Sequence, residues 1–228
     1  YVGGLINMNE KKKSLCLILM VIVCCILMAI VEIFIEPVYF LKSAIKFILF
    51  FIIPFIIMKK LNGIVFNNFK LDKRSIKKLL LLGIIIYGVI MIAYFITKNI
   101  FDYPKLIESL ASDQHVTSNS FVWVALYISF INSFLEEFLF RLISFVKLSK
   151  YTKRVVAYLF SSMIFAIYHI AMIGEAFPPL LTILSIIGLT IGGCIFNFVD
   201  EKNDNIYNSW IVHMFADFAI MTIWFIYI

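Results

Sequence analysis

An all-α polytopic membrane bundle of about seven transmembrane helices is the fold this sequence predicts, and three observations predict it. Hydrophobic residues make up 63% of the 228 positions and charged residues only 15%. The mean hydropathy of +1.00 is too high for the apolar surface to be hidden inside one soluble core. The apolar residues are also gathered into stretches of about 20, the length a helix needs to cross a hydrocarbon layer of roughly 30 Å.

The expected spans are 14–35, 38–58, 79–98, 121–146, 154–173, 178–199 and 206–226. Ahead of the first, Met8, Asn9, Glu10 and Lys11–Lys13 read like a natural start, with residues 1–7 as upstream sequence. The first apolar run continues past Ala29 without a small-x-small exit, so it reads as an uncleaved span. Cys16, Cys24, Cys25 and Cys194 all fall within spans and lack the spacing of a disulfide framework or a zinc ribbon.

Charge distribution tests the count. Lys11–Lys13, the 59–78 loop, the 147–154 loop and Lys202 hold 15 of the 20 Lys and Arg residues, against Lys98 and Lys105 on the opposite side. Basic residues are retained in the cytoplasm, so seven spans place the N-terminus inside and the C-terminus outside. The net charge of +6 therefore serves orientation, and nucleic-acid binding is excluded. Residues 59–78 mix apolar and basic side chains and suit either a surface resting on anionic membrane lipid or a solvated loop. Residues 99–120 are polar, with Pro104 placed to open a short helix through Leu110 and His115 a solvated loop residue.

Charged groups within spans each cost about 2.5–3.5 kcal/mol on insertion scales and so require a partner or a purpose. Glu32 and Glu36 share one face of the first span, Lys42 and Lys46 one face of the second, and Pro37 marks the turn. An antiparallel hairpin would let these two pairs neutralise each other. The fourth span carries Glu136, Glu137 and Arg141. Glu137 and Arg141 stand at i,i+4 and can form an internal ion pair. Glu136 projects about 100° away around the helix without that partner, which makes it a candidate for proton transfer.

His169 lies four residues after Phe165 on the fifth span, and His213 and Asp217 stand at i,i+4 on the seventh. Two such groups on one face suit either a metal or a polarised water. Counting from the cytoplasmic ends puts Glu136, His169 and His213 at a depth of about 12–18 Å. On the sixth span Ser185, Gly188 and Gly192, with Gly193 beside them, form a small-residue stripe expected to admit a neighbouring helix. Asn197 is expected at the interface.

These residues resemble the CAAX-protease and bacteriocin-processing family, also called the CPBP or Abi family, to which the type II CAAX prenyl endopeptidases belong. Glu136-Glu137-x-x-x-Arg141 is similar to its EExxxR motif, Phe165-x-x-x-His169 to FxxxH, and His213-x-x-x-Asp217 to the final Hxxx(N/D). Asn205-Ile206-Tyr207-x-Ser209 resembles the asparagine, apolar, aromatic, serine lead-in to the last helix. The resemblance covers about residues 121–220, which divides the chain into an N-terminal part, 1–120, and a catalytic-like core, 121–228. One departure matters: the prenyl endopeptidases carry asparagine where this chain has Asp217.

The resemblance implies a glutamate-dependent intramembrane endopeptidase. Glu136, assisted by His169, would activate water, His213 and Asp217 would stabilise the oxyanion or bind metal, and Glu137 with Arg141 would hold the helix and the substrate backbone. A divalent metal such as zinc is the candidate cofactor, with His169, His213 and Asp217 as its ligands, although the HExxH signature of zincins is missing. The implied partners are a peptide or membrane-protein substrate and membrane lipid. Bacterial relatives imply leader-peptide, pheromone or membrane-protein processing in the cell membrane; eukaryotic ones imply prenylated tails. The alternatives are a non-catalytic self-immunity or scaffold protein of the same fold, or a transporter. No polar pattern repeats between 14–98 and 121–226 as an inverted-repeat transporter would show.

Overall fold

The computed structural model describes residues 8–61, 69, 75–174 and 176–228. Among these the chain is helices joined by short turns, without strands, and seven of the helices are long and apolar enough to span a membrane. They are α1 (Glu10–Ile35), α2 (Tyr39–Lys60), α3 (Ile76–Thr97), α5 (Ser118–Lys150), α6 (Arg154–Ile173), α7 (Pro179–Asp200) and α8 (Ile206–Tyr227). The short α4 (Tyr103–Asp113) crosses one end of the bundle. The chain is an integral membrane protein, and each expected span is present.

Local sequence explains the helix starts. Asn9 caps α1 by accepting from the Lys12 amide at 2.9 Å. Asp102 does the same for α4, where Pro104 occupies the first turn and needs no hydrogen-bond partner. Thr117 and Ser120 form a reciprocal capping box at the start of α5. Asn205 caps α8 through the Tyr207 amide at 3.1 Å, and Ser209 bonds to Asp200 through both its amide and its hydroxyl. The asparagine and serine of the lead-in are therefore the cap of α8 and its tether to the end of α7.

Helix α5 is the axis of the molecule. Every residue from Leu135 to Leu148 is buried, so this helix is enclosed on all faces instead of along one stripe. Helices α1, α2, α6, α7 and α8 surround it, α6 lies along α7, and α3 packs on the outside against α8. The α3 contact needs Gly83: a Cβ there would collide with the ring of Phe215. Four stretches widen to π-helix, Val31–Ile35, Ile48–Ile52, Tyr127–Asn132 and Glu137–Lys147. Two of them flank Glu136, and such widenings gather at functional sites.

Both ends of the bundle can be recognised from their contacts. At one end Arg154 pairs with Glu201, Lys150 with Asp204 at 3.3 Å, and Lys13 sits over the Tyr151 ring. At the other, Ser118 donates to the Ile228 carbonyl at 3.0 Å. Helix α4 buries Leu106, Ile107, Leu110 and Ala111 at that second end, and exposed His115 follows it in the left-handed conformation with φ 53°.

The structure corrects three expectations. The α1–α2 hairpin holds only one of its two expected pairs, Glu32 with Lys42 at 2.8 Å, with the Gln114 amide lying against both. Glu36 is exposed in the left-handed turn that ends α1, while Lys46 lies seven residues inside α2, roughly 10 Å along the axis and beyond reach of that turn. The small-residue stripe of α7 is displaced by one residue. Gly188 and Gly192 have open space where a Cβ would stand, whereas a Cβ on Gly193 would lie 3.0 Å from the Ser162 Cα of α6. Asn197 is fully buried, not interfacial: it donates to Tyr158 O and Ser162 Oγ at 3.1 Å and accepts from Ser161 Oγ at 3.0 Å. The interfacial reading of 59–78 falls largely outside the described residues.

Candidate active site

Four helices bring seven ionisable side chains and one amide together within the bundle. Glu136 on α5 is at the centre and is 1% exposed. Its Oε1 accepts from Lys46 Nζ of α2 at 2.6 Å and from Asn132 Nδ2, one turn earlier on α5, at 3.0 Å. Its Oε2 points between two imidazoles, 3.8 Å from His169 Nε2 of α6 and 3.7 Å from His213 Nε2 of α8. These separations exceed a hydrogen bond, so Oε2 makes no direct bond to either imidazole.

The imidazoles are oriented from behind. His169 Nδ1 is 2.7 Å from the Phe165 carbonyl, which can only accept, so Nδ1 carries a proton and Nε2 turns toward Glu136. The Phe165 ring stands edge-on to the same imidazole with centroids 4.6 Å apart, which gives the FxxxH spacing a physical purpose. His213 Nδ1 donates to Glu137 Oε1 at 2.7 Å, its ring stacks on Phe196, and its Nε2 also lies 3.6 Å from Asp217 Oδ1.

Glu137 thus serves an imidazole and a guanidinium. Its Oε2 is 3.2 Å from Arg141 Nε, the internal pair expected from the sequence. The guanidinium lies over the rings of Phe165 and Phe196, 4.4 and 5.1 Å from their centroids, and its terminal nitrogens have no hydrogen-bond partner among the described residues. Stacking on two aromatic faces holds this cation without water.

All six residues singled out from the sequence, Glu136, Glu137, Arg141, His169, His213 and Asp217, come together here. Depth counting is corrected in detail. His169 is 15 residues beyond Arg154 and His213 only seven beyond Ile206, about 22 and 10 Å along their helices, so tertiary packing and not distance from the helix end makes them meet. Lys46 and Asn132 were missed. An intramembrane lysine too far from the α1 turn to reach its acids was the available signal for the first; an asparagine at i−4 from Glu136 was the signal for the second.

The three expected metal ligands, His169, His213 and Asp217, do not by themselves form a recognisable metal site. Among the described residues no group of three or more His, Cys, Asp or Glu side chains converges as a metal site requires. Glu136 Oε1 is engaged by an ammonium and His213 Nδ1 by Glu137, which leaves Glu136 Oε2 and the Nε2 atoms of His169 and His213 facing one another.

Fold and site together define an integral membrane helical bundle with a buried acid–imidazole centre. Residues 118–219 match the family model described as Type II CAAX prenyl endopeptidase Rce1-like, so this stretch of the chain is similar to that family of membrane proteases. All the motif residues lie inside the match, and Lys46 lies outside it. No curated protein and no solved structure matches the chain.

Proposed function

We propose that the chain is a glutamate-dependent intramembrane endopeptidase in which Glu136 is the general base. The observation that carries this reading is the division of its carboxylate: Oε1 is tied to Lys46 and Asn132, and Oε2 faces His169 and His213 across 3.8 and 3.7 Å. A water seated against Oε2 gives its proton to Glu136, while His169 Nε2 accepts the second hydrogen and fixes the lone pair toward the scissile carbonyl.

Attack on that carbon produces a tetrahedral oxyanion, which requires a donor already in place. His213 as an imidazolium supplies it from Nε2. Charge balance supports this form: among the described residues, Glu136 pairs with Lys46 and Glu137 with Arg141, while Asp217 has His213, which contacts all three carboxylates. Collapse of the intermediate breaks the C–N bond, and the proton held by Glu136 passes to the departing amine. Glu137 and Arg141 orient His213 and brace α5. Asp217 replaces a neutral amide with an anion that favours the charged imidazole. No step draws on a metal.

The substrate is a peptide or membrane-protein segment, and the family indicates a CAAX-type sequence. The test uses the purified full chain and a farnesylated peptide ending in a CAAX sequence, with fluorophore and quencher on either side of the scissile bond. Glu136→Gln is expected to lower cleavage by about 10²–10⁴-fold, with His169→Ala and His213→Ala close behind and His115→Ala unchanged. Undiminished cleavage by Glu136→Gln and His169→Ala would exclude this mechanism. The unfarnesylated peptide in parallel reports whether the lipid is recognised.

A further inference from the structure

Glu136 is held from outside the segment that matches the family. Lys46 belongs to α2, and its ammonium is fixed on three sides: Glu136 Oε1 at 2.6 Å, the Phe50 ring at 5.2 Å and the Tyr168 ring at 5.0 Å. Those two rings lie 5.1 Å apart, and Lys46 is 5% exposed, so it cannot extend to either membrane surface. Asn132 meets the same oxygen from the other direction at 3.0 Å.

We infer that Lys46 and Asn132 are positioning residues for Glu136, which together occupy Oε1 and so present Oε2 to the reacting water. This rests on Glu136 being the base. The last torsion of a glutamate is soft, with a broad twofold preference that does not by itself choose between the two oxygens. Two donors on one oxygen make that choice. They do so from different helices, α2 and α5, so the carboxylate plane is fixed relative to His169 and His213 only when the N-terminal half of the chain is in place. Lys46 also supplies the positive charge that a carboxylate enclosed in a membrane protein requires. Asn132 adds direction without charge.

The experiment measures kcat and KM separately on the farnesylated CAAX peptide, with the full chain in detergent micelles and folding checked by size exclusion. Lys46→Met is expected to lower kcat by about 10–100-fold at nearly unchanged KM, because misdirecting a reacting group costs turnover more than binding. Lys46→Arg, which restores a charged donor, is expected to recover most of that loss. The double variant Lys46→Met with Glu136→Gln is expected to be no slower than Glu136→Gln alone, since Lys46 acts through that carboxylate. If Lys46→Met does not fold, Asn132→Leu, which strands no charge, carries the test with an expected loss of about tenfold in kcat. A folded Lys46→Met or Asn132→Leu protein with wild-type kcat, or one changed only in KM, would overturn the inference while the peptidase reading stands. Wild-type turnover by Glu136→Gln would overturn both.

Discussion

Glu136 and Glu137 are adjacent in sequence and differ in every physical respect that governs their roles. Glu136 has one oxygen on Lys46 and Asn132 and the other between two imidazoles without a direct hydrogen bond; Glu137 spends its oxygens on His213 and Arg141. Substitution of the two should therefore separate chemistry from stability. Glu137→Gln leaves the Arg141 guanidinium in a dry aromatic sandwich with no anion, and breaking a buried pair in this way costs about 3–5 kcal/mol. The expected outcome is a lower unfolding midpoint in detergent and poor recovery of folded protein. A Glu137→Gln chain as stable as wild type but inactive would show that Glu137 acts in the chemistry itself. Removal of metal ions is a second test at this scale. In the proposed mechanism Glu136 and the two imidazoles carry every step, so cleavage of the farnesylated peptide is expected to be unchanged by EDTA or 1,10-phenanthroline. Inhibition that zinc reverses would reassign His169, His213 and Asp217 as ligands.

At the scale of the helices, the packing of α6 against α7 supports the site from behind, because α6 carries His169 and α7 carries the Phe196 that stacks on His213. That interface combines a close approach with a polar lock. Gly193 admits the backbone at Ser162, and Asn197 bonds to both Tyr158 and Ser162, while Ser161 joins Asn197 to the Phe140 carbonyl of α5. Within a membrane, packing and interhelical hydrogen bonds must do what the hydrophobic effect does in water. Gly193→Val is expected to cost about 1–3 kcal/mol by overpacking, whereas Gly188→Val, facing open space, should change stability by less than about 0.5 kcal/mol. Resistance to denaturation by sodium dodecyl sulfate, followed by circular dichroism, compares the two. Equal losses would mean that the interface tolerates a Cβ and that the contact at Ser162 is not limiting.

For the molecule as a whole, seven spans put Lys150 and Lys59 at one end and Ser112 and Ile228 at the other, and the contacts of Lys150 with Asp204 and of Ser118 with Ile228 agree with that grouping. The charge asymmetry leads to the expectation that the first end faces the cytoplasm. With Cys16, Cys24, Cys25 and Cys194 replaced, single cysteines at 59 and 150 are expected to resist an impermeant maleimide applied to intact cells, and those at 112 and 228 to react. Labelling of 112 and 150 from the same side would break the alternation. The same architecture explains why residues 118–219 do not make a complete site by themselves: α5 is wrapped by α1 and α2 as well as by α6 to α8, and the counter-ion of Glu136 comes from α2.

Sequence alone determined the class, the number and placement of the helices, and the six motif side chains. Each of these depends on local quantities: run length against bilayer thickness, a charge too costly to leave in lipid, and i,i+4 spacing that puts Glu137 beside Arg141 and His213 beside Asp217. Caps at Asn9, Asp102, Thr117 and Asn205 are equally local. Tertiary structure decided which partner each intramembrane charge meets. Glu32, Glu36, Lys42 and Lys46 allow several pairings by spacing; the depth of Lys46 along α2 and the approach of α5 selected Glu136 for it and left Glu36 exposed. The same holds for Gly193 over Gly188 and for the burial of Asn197, because the rotation of one helix against another is set by all of its neighbours at once and is written in no single span.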